Sequence, residues 1–332
     1  MAELVHEASG RFPDLFRTQV AEGSFISEVL ADPRSGFHLI HSMSRPRPEA
    51  LARLHEFQRT GKIDLGPLRV DRHDSIGQVT IQNHASLNAE DDDSTRAMEI
   101  AVDLVLLDDE IEVGVLRGAP SAHPKHAGRR IFGSGLDLNR LSKGKISLAG
   151  FMIERELGAI NKIYRGQDER EKPWVAAVDA FAIGGAFQWL LVTDYVVAET
   201  GAYFKLSASE GIVPGCAALR LPRFVGERLA RQAIFRGHTF EADSAEGRLI
   251  ADEVVPADEI ESAVERAALE LTSAGSTSLV ANRRALREVQ EPLDLFRRYM
   301  STYALEQARC LDSPELSENL ERNWGAKQRT PG

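Results

Sequence analysis

At 332 residues, with 43% hydrophobic and 27% charged residues, the chain has the composition of a folded globular protein rather than a disordered one. Its formal net charge of −10 argues against a nucleic-acid partner, because binding to phosphates requires lysines and arginines clustered on one face. No apolar run reaches the length of a membrane span and the N-terminus has no apolar signal core, so we expect a cytoplasmic protein without membrane partners.

The pattern of apolar residues divides the chain into three predicted parts. Residues 1–65 form a helical segment with a break at Pro46 and Pro48. Residues 66–256 alternate strands with helices, which indicates an α/β core, and residues 257–332 form consecutive helices. The predicted strands cover residues 76–81, 111–116, 174–178 and 195–198, and the predicted C-terminal helices cover residues 260–271, 279–289 and 293–308.

The cysteines and histidines do not indicate a metal site. Cys216 and Cys310 lie far apart in the sequence, so neither a disulfide framework nor a thiolate cluster is expected. His123 and His126 share a short loop and could ligate a metal, but no Cys, Asp or Glu stands close enough in sequence to complete the site. We favour a solvated loop and predict no metal.

Three separated motifs carry the candidate chemistry. The first is NHASLNA at residues 83–89, directly after the strand at 76–81. The second is IFGSGLDL at residues 131–138, which we interpret as a strand that enters a glycine-rich turn before a helix. The third is VDAFAIGGAFQ at residues 178–188, which leads into an apolar helix. A fourth element, GIVPG, follows at residues 211–215.

In this order the motifs resemble those of the enoyl-CoA hydratase and isomerase (crotonase) superfamily over about residues 66–290. The resemblance implies an α/β fold: a crotonase core, built as a ClpP-like spiral of ββα units, between an N-terminal helical segment and a C-terminal helical trimerisation region. It also implies a homo-oligomer, either a trimer or a dimer of trimers, that binds an acyl-CoA thioester.

The resemblance assigns an oxyanion hole to two backbone N–H groups, those of Leu136 and Gly185, which would hold the thioester carbonyl. Each such donor typically contributes roughly 3 to 4 kcal/mol to stabilising the transition state. Glycines suit these places because they allow sharp turns, and the first N–H groups of a helix have no partner inside it. A glycine pair alone would indicate only a tight turn, and the order of the motifs favours the functional interpretation. The implied substrate-binding residues are Ser86, Asn88, Ala89, Gly135, Gly184, Phe187, Pro214 and Gly215.

The sequence departs from the hydratase pattern at both catalytic positions. Hydratases of this family use two glutamates on opposite sides of a water. Here the first position is Gln188, and the second falls at residues 207–209, where Ser207 is the best match and Glu210 is out of register. An amide cannot act as a general base, so hydration is not expected.

A narrower branch fits better. Residues 142–166, which contain the run Arg155, Glu156, Leu157, Gly158, resemble the (3,5-dihydroxyphenyl)acetyl-CoA 1,2-dioxygenases, and this resemblance extends from about residue 50 over most of the chain. It implies oxidation of an arylacetyl-CoA by O₂ to an arylglyoxylate and CoA. The enzymes of this branch use neither a metal nor an organic cofactor, so we expect none here.

The same resemblance assigns three polar side chains to the site. Glu90 would face the hydroxyl groups of the aryl ring, whereas Asp92 and Asp93 of the same acidic run fit a solvated first turn of a helix. Arg155 lies on a helical face of apolar and small residues, which indicates a guanidinium that points inward and needs an anion. Gln188 should be buried and hydrogen-bonded, either as a structural amide or as a contact to substrate or peroxide.

The implied mechanism is an enolate that reduces O₂ in an apolar pocket with Phe187 and Trp189 as walls, followed by attack of the peroxide on the thioester. The sequence offers no obvious base for the first step. Two alternatives stay open: another crotonase-family hydrolase or isomerase, and an acyl-CoA-binding scaffold without catalysis.

Overall fold

Three helices come first among the residues that the structure describes. The computed structural model describes residues 11–167, 170–207, 211–273, 275–320 and Arg322. These helices are α1 (Arg11–Ala31), α2 (Pro33–Met43) and α3 (Pro48–Thr60). Both α2 and α3 begin at a proline. Proline suits the first position of a helix because it has no N–H, and an N–H in the first turn has no acceptor within the helix. The predicted break near Pro48 is therefore confirmed.

The core contains two β-sheets. Seven strands form the larger sheet, in the order β1-β2-β3-β4-β5-β7-β10: the first three are antiparallel and the rest run parallel from β3 onwards. The smaller sheet has the order β6-β8-β9. The strands are β1 (Lys62–Asp64), β2 (Leu68–His73), β3 (Ile76–Ile81), β4 (Val113–Gly118), β5 (Trp174–Val178), β6 (Phe181–Ile183), β7 (Tyr195–Glu199), β8 (Tyr203–Lys205), β9 (Thr239–Glu241) and β10 (Glu253–Val255).

Helices follow or connect the strands. They are α4 (Asp92–Leu107), α5 (Leu138–Leu141), α6 (Leu148–Gly150), α7 (Asn161–Arg165), α8 (Gly185–Leu190), α9 (Ala217–Arg236), α10 (Ile260–Ser273), α11 (Ser276–Gln290), α12 (Leu293–Leu311) and α13 (Pro314–Leu320). Between α6 and α7 the chain forms a π-helix, Phe151–Ile160, a rare type of turn that is frequent at functional sites.

The larger sheet is covered on both faces. In β5, Trp174 and Ala176 pack into the main core, while Val175 and Ala177 point to the opposite face and pack against α10. All five residues of β5 are buried, as expected for a parallel strand between two layers. The strand and helix predictions for the core and the C-terminal part are therefore confirmed, with ends that differ by a few residues.

One prediction is corrected by the structure. Residues 131–137 do not form a regular strand but pair through isolated bridges, Gly133 with Ala182 and Leu136 with Glu90. Helix α12 packs on α1 of its own chain, where Ser301 Oγ donates to the carbonyl of Ser27 at 2.9 Å. The trimer stays a prediction. The domain boundaries at residues 65 and 256 also stay predictions, although β1, which lies before residue 65, pairs with β2 of the core.

Within the described ranges, no helix is long and apolar enough to cross a membrane. The same part of the chain contains no group of three or more His, Cys, Asp or Glu side chains that could hold a metal ion. His123 and His126 lie in a surface loop with ring centroids 5.9 Å apart.

The buried carboxylate of Glu291, which lies between α11 and α12, contacts arginines of two other helices, α7 and α9. Glu291 accepts hydrogen bonds from Arg165 at 3.0 Å, from Arg220 at 2.9 and 3.0 Å and from Arg223 at 2.8 Å. Burial opposes ionisation of this carboxyl group, but the positive charges, that of Arg220 above all, hold its pKa at about 2. Glu291 therefore ties α7 and α9 to the start of α12.

Replacing Glu291 with Gln is expected to lower the free energy of unfolding at pH 7 by about 3 kcal/mol. The pKa of this carboxyl lies below its ordinary value of 4.5 in the folded protein, so its contribution is fully present above pH 4.5 and is lost as the pH falls towards about 2. The difference between variant and wild type should shrink over that range in urea unfolding. Glu288→Gln, at an exposed position of α11, is the control. Parallel stability curves for the Glu291 variant and the wild type would contradict this account.

Candidate active site

Two isolated bridges bring the three sequence motifs together. Gly133 pairs with Ala182 in β6, and Leu136 pairs with Glu90. Glu90 is held at the start of α4, because the next residue, Asp91, caps that helix by accepting a hydrogen bond from the N–H of Ser94 at 2.8 Å. The three motifs therefore lie next to one another in the fold, at the end of β6, directly before Glu90 and around Leu136.

A cavity of about 490 Å³, including its open mouth, lies at this place. Its walls come from the second and third motifs, the π-helix, the segment after β8 and helix α12. The lining residues are Leu136, Phe151, Glu156, Gly184, Gly185, Gln188, Ser207, Ile212, Val213, Pro214, Gly215, Tyr303 and Gln307.

Two backbone N–H groups at the cavity are free of internal partners. Gly185 is the first residue of α8, so its N–H has no acceptor inside the helix. Among the described residues, neither this N–H nor that of Leu136 donates a backbone hydrogen bond. Gly135 has a φ of +80°, and a Cβ at this position would lie 2.9 Å from the amide nitrogen of Gly185. The backbone before Leu136 therefore approaches α8 closely, and the two donors border the same cavity.

Arg155 is the centre of a buried charge cluster behind this backbone. Its guanidinium donates to Glu90 at 3.0 and 3.2 Å, to Glu156 at 2.5 Å and to the carbonyl oxygen of Gly185 at 2.6 Å. Burial acts to lower the pKa of Arg155, but the charges of Glu90 and Glu156 raise it above its ordinary value. The guanidinium thus stays charged and fixes the peptide group next to one free N–H.

Aromatic rings hold the cluster in place. The Arg155 guanidinium lies 5.0 Å from the ring centroid of Phe151 and 4.9 Å from that of Trp189, within the range of cation–π attraction. Trp189 Nε1 also donates to Glu90 at 2.5 Å. The inward guanidinium that the sequence indicated is therefore confirmed, and the anions that it contacts are two carboxylates of the protein itself.

Gln188 occupies the position of the first hydratase glutamate. It is buried, and its Oε1 accepts a hydrogen bond from the N–H of Cys216 at 3.0 Å, while its Nε2 has no partner among the described residues. Ser207 also lines the cavity, and residues 208–210, where the second hydratase position was sought, lie outside the described residues. Asp92 and Asp93 are exposed, as expected for the first turn of α4.

The remaining predicted residues divide into three groups. Gly184, Pro214 and Gly215 line the cavity together with the two N–H donors. A second cavity, of about 370 Å³ including its open mouth, is lined by Glu90, Asn88, Ala89, Trp189 and residues of α4.

Three predicted residues line neither cavity. Ser86 accepts a hydrogen bond from Ser134 through its carbonyl, and Gly135 accepts one from the N–H of Glu90. Phe187 is fully buried in the main core, where its ring centroid lies 5.9 Å from that of Phe204. The assignment of roles to these residues stays a prediction, and Phe187 lies apart from both cavities.

Three polar cavity residues were not identified as site residues from the sequence. Glu156 belongs to the π-helix, in which residues 155–160 are all buried, so that Arg155 and Glu156 both lie in the interior. Tyr303 and Gln307 stand one helical turn apart on α12 and reach the cavity from the far end of the chain. For these last two no local motif exists, since only the packing of α12 brings them to the site.

Comparisons with known proteins agree with this geometry. Residues 71–305 match the family described as enoyl-CoA hydratase/isomerase. The (3,5-dihydroxyphenyl)acetyl-CoA 1,2-dioxygenase of Amycolatopsis orientalis is 44% identical over 316 residues, which cover 92% of this chain and 72% of that protein. The short-chain-enoyl-CoA hydratase of Clostridium acetobutylicum is 27% identical over 68% of this chain and 82% of its own.

Among solved structures, the enoyl-CoA hydratase from Bacillus halodurans superposes with a TM-score of 0.66 and 18% identity, covering 77% of this chain and 100% of its own. At this identity the likeness shows the fold alone. The chain therefore belongs to the enoyl-CoA hydratase/isomerase family and has the crotonase fold.

Proposed function

We propose that the protein is a cofactor-independent dioxygenase that converts an arylacetyl-CoA, such as 3,5-dihydroxyphenylacetyl-CoA, and O₂ to an arylglyoxylate and CoA. The observation that carries this proposal is the pair of free N–H groups at Leu136 and Gly185 beside an amide, Gln188, where hydration needs a carboxylate. The 44% identity to a dioxygenase over 92% of the chain supports the choice of reaction.

The proposed reaction begins with the loss of a proton from the carbon next to the thioester. The negative charge moves to the carbonyl oxygen, where two preorganised donors stabilise it, and the aryl ring delocalises it further. This enolate reduces O₂, and a peroxide forms at the same carbon. The peroxide then attacks the thioester carbonyl, and CoA leaves as the thiolate, which takes up a proton. The O–O bond breaks as the second hydrogen on the same carbon leaves as a proton, which forms the keto group, so that both atoms of O₂ enter the 2-oxo acid.

The side chains of this chain position and enclose the substrate in the proposal. Arg155 holds the Gly185 peptide, and Glu90, which accepts from Arg155 and Trp189, faces the second cavity, where the aryl ring and its hydroxyl groups would lie. Trp189 and Met98 give that cavity apolar walls, which keep water from the carbanion. A homotrimer or a dimer of trimers belongs to the same proposal.

We expect aerobic enzyme with 3,5-dihydroxyphenylacetyl-CoA to consume O₂ and release free thiol in equal amounts, at the same rate before and after treatment with a strong chelator. With ¹⁸O₂, mass spectrometry should find two labelled oxygen atoms in the 2-oxo acid. Enzyme without substrate and anaerobic enzyme with substrate are the controls.

Each other outcome identifies an alternative. Thiol release without O₂ uptake, with oxygen from water in the product, would indicate a hydrolase. Binding of the thioester without any reaction would indicate a scaffold. Activity that is lost on chelation and restored by one metal would contradict the cofactor-free reaction.

A further inference from the structure

The proposed reaction requires a group that accepts the proton from the carbon next to the thioester. Such a group must reach the cavity, must be unprotonated at neutral pH and must have a free lone pair. The cavity and its charge cluster offer five side chains that could be considered: Glu90, Gln188, Cys216, Tyr303 and Glu156.

Glu90 is already fully hydrogen-bonded. Its two oxygens accept from Arg155 Nε at 3.0 Å, from Arg155 Nη2 at 3.2 Å and from Trp189 Nε1 at 2.5 Å. Three donors, two of them from a charged guanidinium, thus occupy both oxygens of this carboxylate. Glu90 is therefore suited to hold Arg155 and Trp189 rather than to act as a base.

Three of the others are not bases at neutral pH. Gln188 is an amide. Burial and the nearby charge of Glu156 raise the pKa of the Tyr303 hydroxyl and of the Cys216 thiol well above their ordinary values, so both groups keep their protons. A thiol in this state can offer Glu156 no more than a weak S–H hydrogen bond.

Glu156 differs from all four. It is fully buried and lines the cavity with Leu136 and Gly185, and one of its oxygens, Oε1, accepts from Arg155 Nη1 at 2.5 Å. The other oxygen, Oε2, accepts no N–H or O–H hydrogen bond among the described residues, which leaves the Cys216 thiol as the one weak donor beside this carboxylate. An unpaired charged oxygen in the interior costs stability, and its retention at this place calls for a functional explanation.

The charges of the cluster are consistent with a functional role for Glu156. Glu90 and Glu156 share a single guanidinium, that of Arg155, so the ionised cluster carries one excess negative charge. Neither carboxylate therefore has a counter-ion of its own within this cluster. Glu156 Oε1 also lies 2.7 Å from the position that a Cβ on Gly215 would take, on the wall where Gln188 meets the cavity.

We propose that Glu156 is the base that removes the proton from the carbon next to the thioester, an inference that rests on the function proposed above. The C–H bond breaks, its proton passes to Oε2 of Glu156, and its electron pair forms the enolate double bond. The charge that leaves the carboxylate appears on the carbonyl oxygen that faces the N–H groups of Leu136 and Gly185. No oxidant takes part in this step, so it can occur without O₂.

The test is exchange of this hydrogen for deuterium in anaerobic D₂O with 3,5-dihydroxyphenylacetyl-CoA, followed by NMR. We expect wild-type enzyme to exchange the hydrogen and Glu156→Gln to exchange it about 10²-fold more slowly or worse, with the affinity for the thioester retained. Glu171→Gln is the matched control. Its carboxylate is as buried as that of Glu156, with 1% of the side chain exposed in each, and is also paired with arginine, but it lies away from the cavity.

Exchange by Glu156→Gln at the rate of the wild type would overturn the inference. If circular dichroism shows that this variant does not fold, Glu156→Asp takes its place, because it keeps the charge and withdraws the oxygens from the cavity. It should exchange at least about tenfold more slowly, and an unchanged rate would overturn the inference. If the wild type consumes O₂ without exchange, the same variants are compared by the rate of O₂ uptake, with the same expected losses.

The failure of the proposed function gives a different result. A wild-type enzyme that exchanges the hydrogen but never consumes O₂ would contradict the dioxygenase reaction and leave Glu156 as the base of an enolate-forming enzyme. A wild-type enzyme that does neither with this thioester would contradict both.

Discussion

Replacing Leu136 with proline is expected to lower kcat of the proposed reaction by about 10²- to 10³-fold. Proline has no N–H, so the substitution removes one of the two donors that face the cavity and leaves that of Gly185. The loss should appear in kcat rather than in the affinity for the thioester, because the donor acts most strongly on the charge that develops during the reaction. Steady-state O₂ uptake measures it.

The control for this substitution is Leu136→Ala, which keeps the N–H. The side chain of Leu136 is buried against Leu141 and Phe151, so both variants lose packing and some stability. The ratio of their kcat values therefore reports the loss of the N–H together with the fixed φ of proline. If folded Leu136→Pro and Leu136→Ala turned over at the same rate, the Leu136 donor would have no part in the mechanism.

Replacing Arg155 with alanine is expected to abolish measurable turnover and to lower the free energy of unfolding by about 3 to 5 kcal/mol. The arginine is fully buried, and its removal leaves the carboxylates of Glu90 and Glu156 without a counter-ion. It also removes the hydrogen bond that holds the carbonyl of Gly185. Urea unfolding and O₂ uptake measure the two effects separately.

Arg155→Lys separates the charge from the geometry. A lysine supplies the positive charge but not a planar fork that reaches Glu90, Glu156 and Gly185 together, so we expect most of the stability to return and most of the activity to stay lost. Equal recovery of stability and activity would mean that Arg155 is only an ion pair of the core.

Much of the fold could be predicted because local pattern and tertiary position agree. The apolar run at residues 174–178 is a strand buried on both faces, and helix α3 begins at Pro48. The inward position of Arg155 could also be predicted from the small and apolar residues around it. The glycines of the second and third motifs lie where backbones approach closely, at Gly135 and Gly185.

The rest depends on geometry that has no local signal. Glu156 was missed because residues 155–160 are all buried, so no single apolar face of this helix marks the side that borders the cavity. Phe187 was placed at the substrate although it precedes Gln188 by one residue, and consecutive residues of a helix point about 100° apart. Gln188 therefore reaches the cavity while Phe187 enters the core. Tyr303 and Gln307 reach the cavity only through the packing of α12 on distant elements.

The pairing of α1 with α12 has a consequence for the order in which the protein acquires its site during synthesis. The apolar face of α1, with Ile26 and Leu30, is covered by α12, and the contact between Ser27 and Ser301 joins positions 274 residues apart. During synthesis on the ribosome, α12 cannot cover this face until almost the whole chain has been made. Contacts between residues so far apart in the sequence also form slowly. Because Tyr303 belongs to the same helix, the cavity gains its last wall at the end of translation.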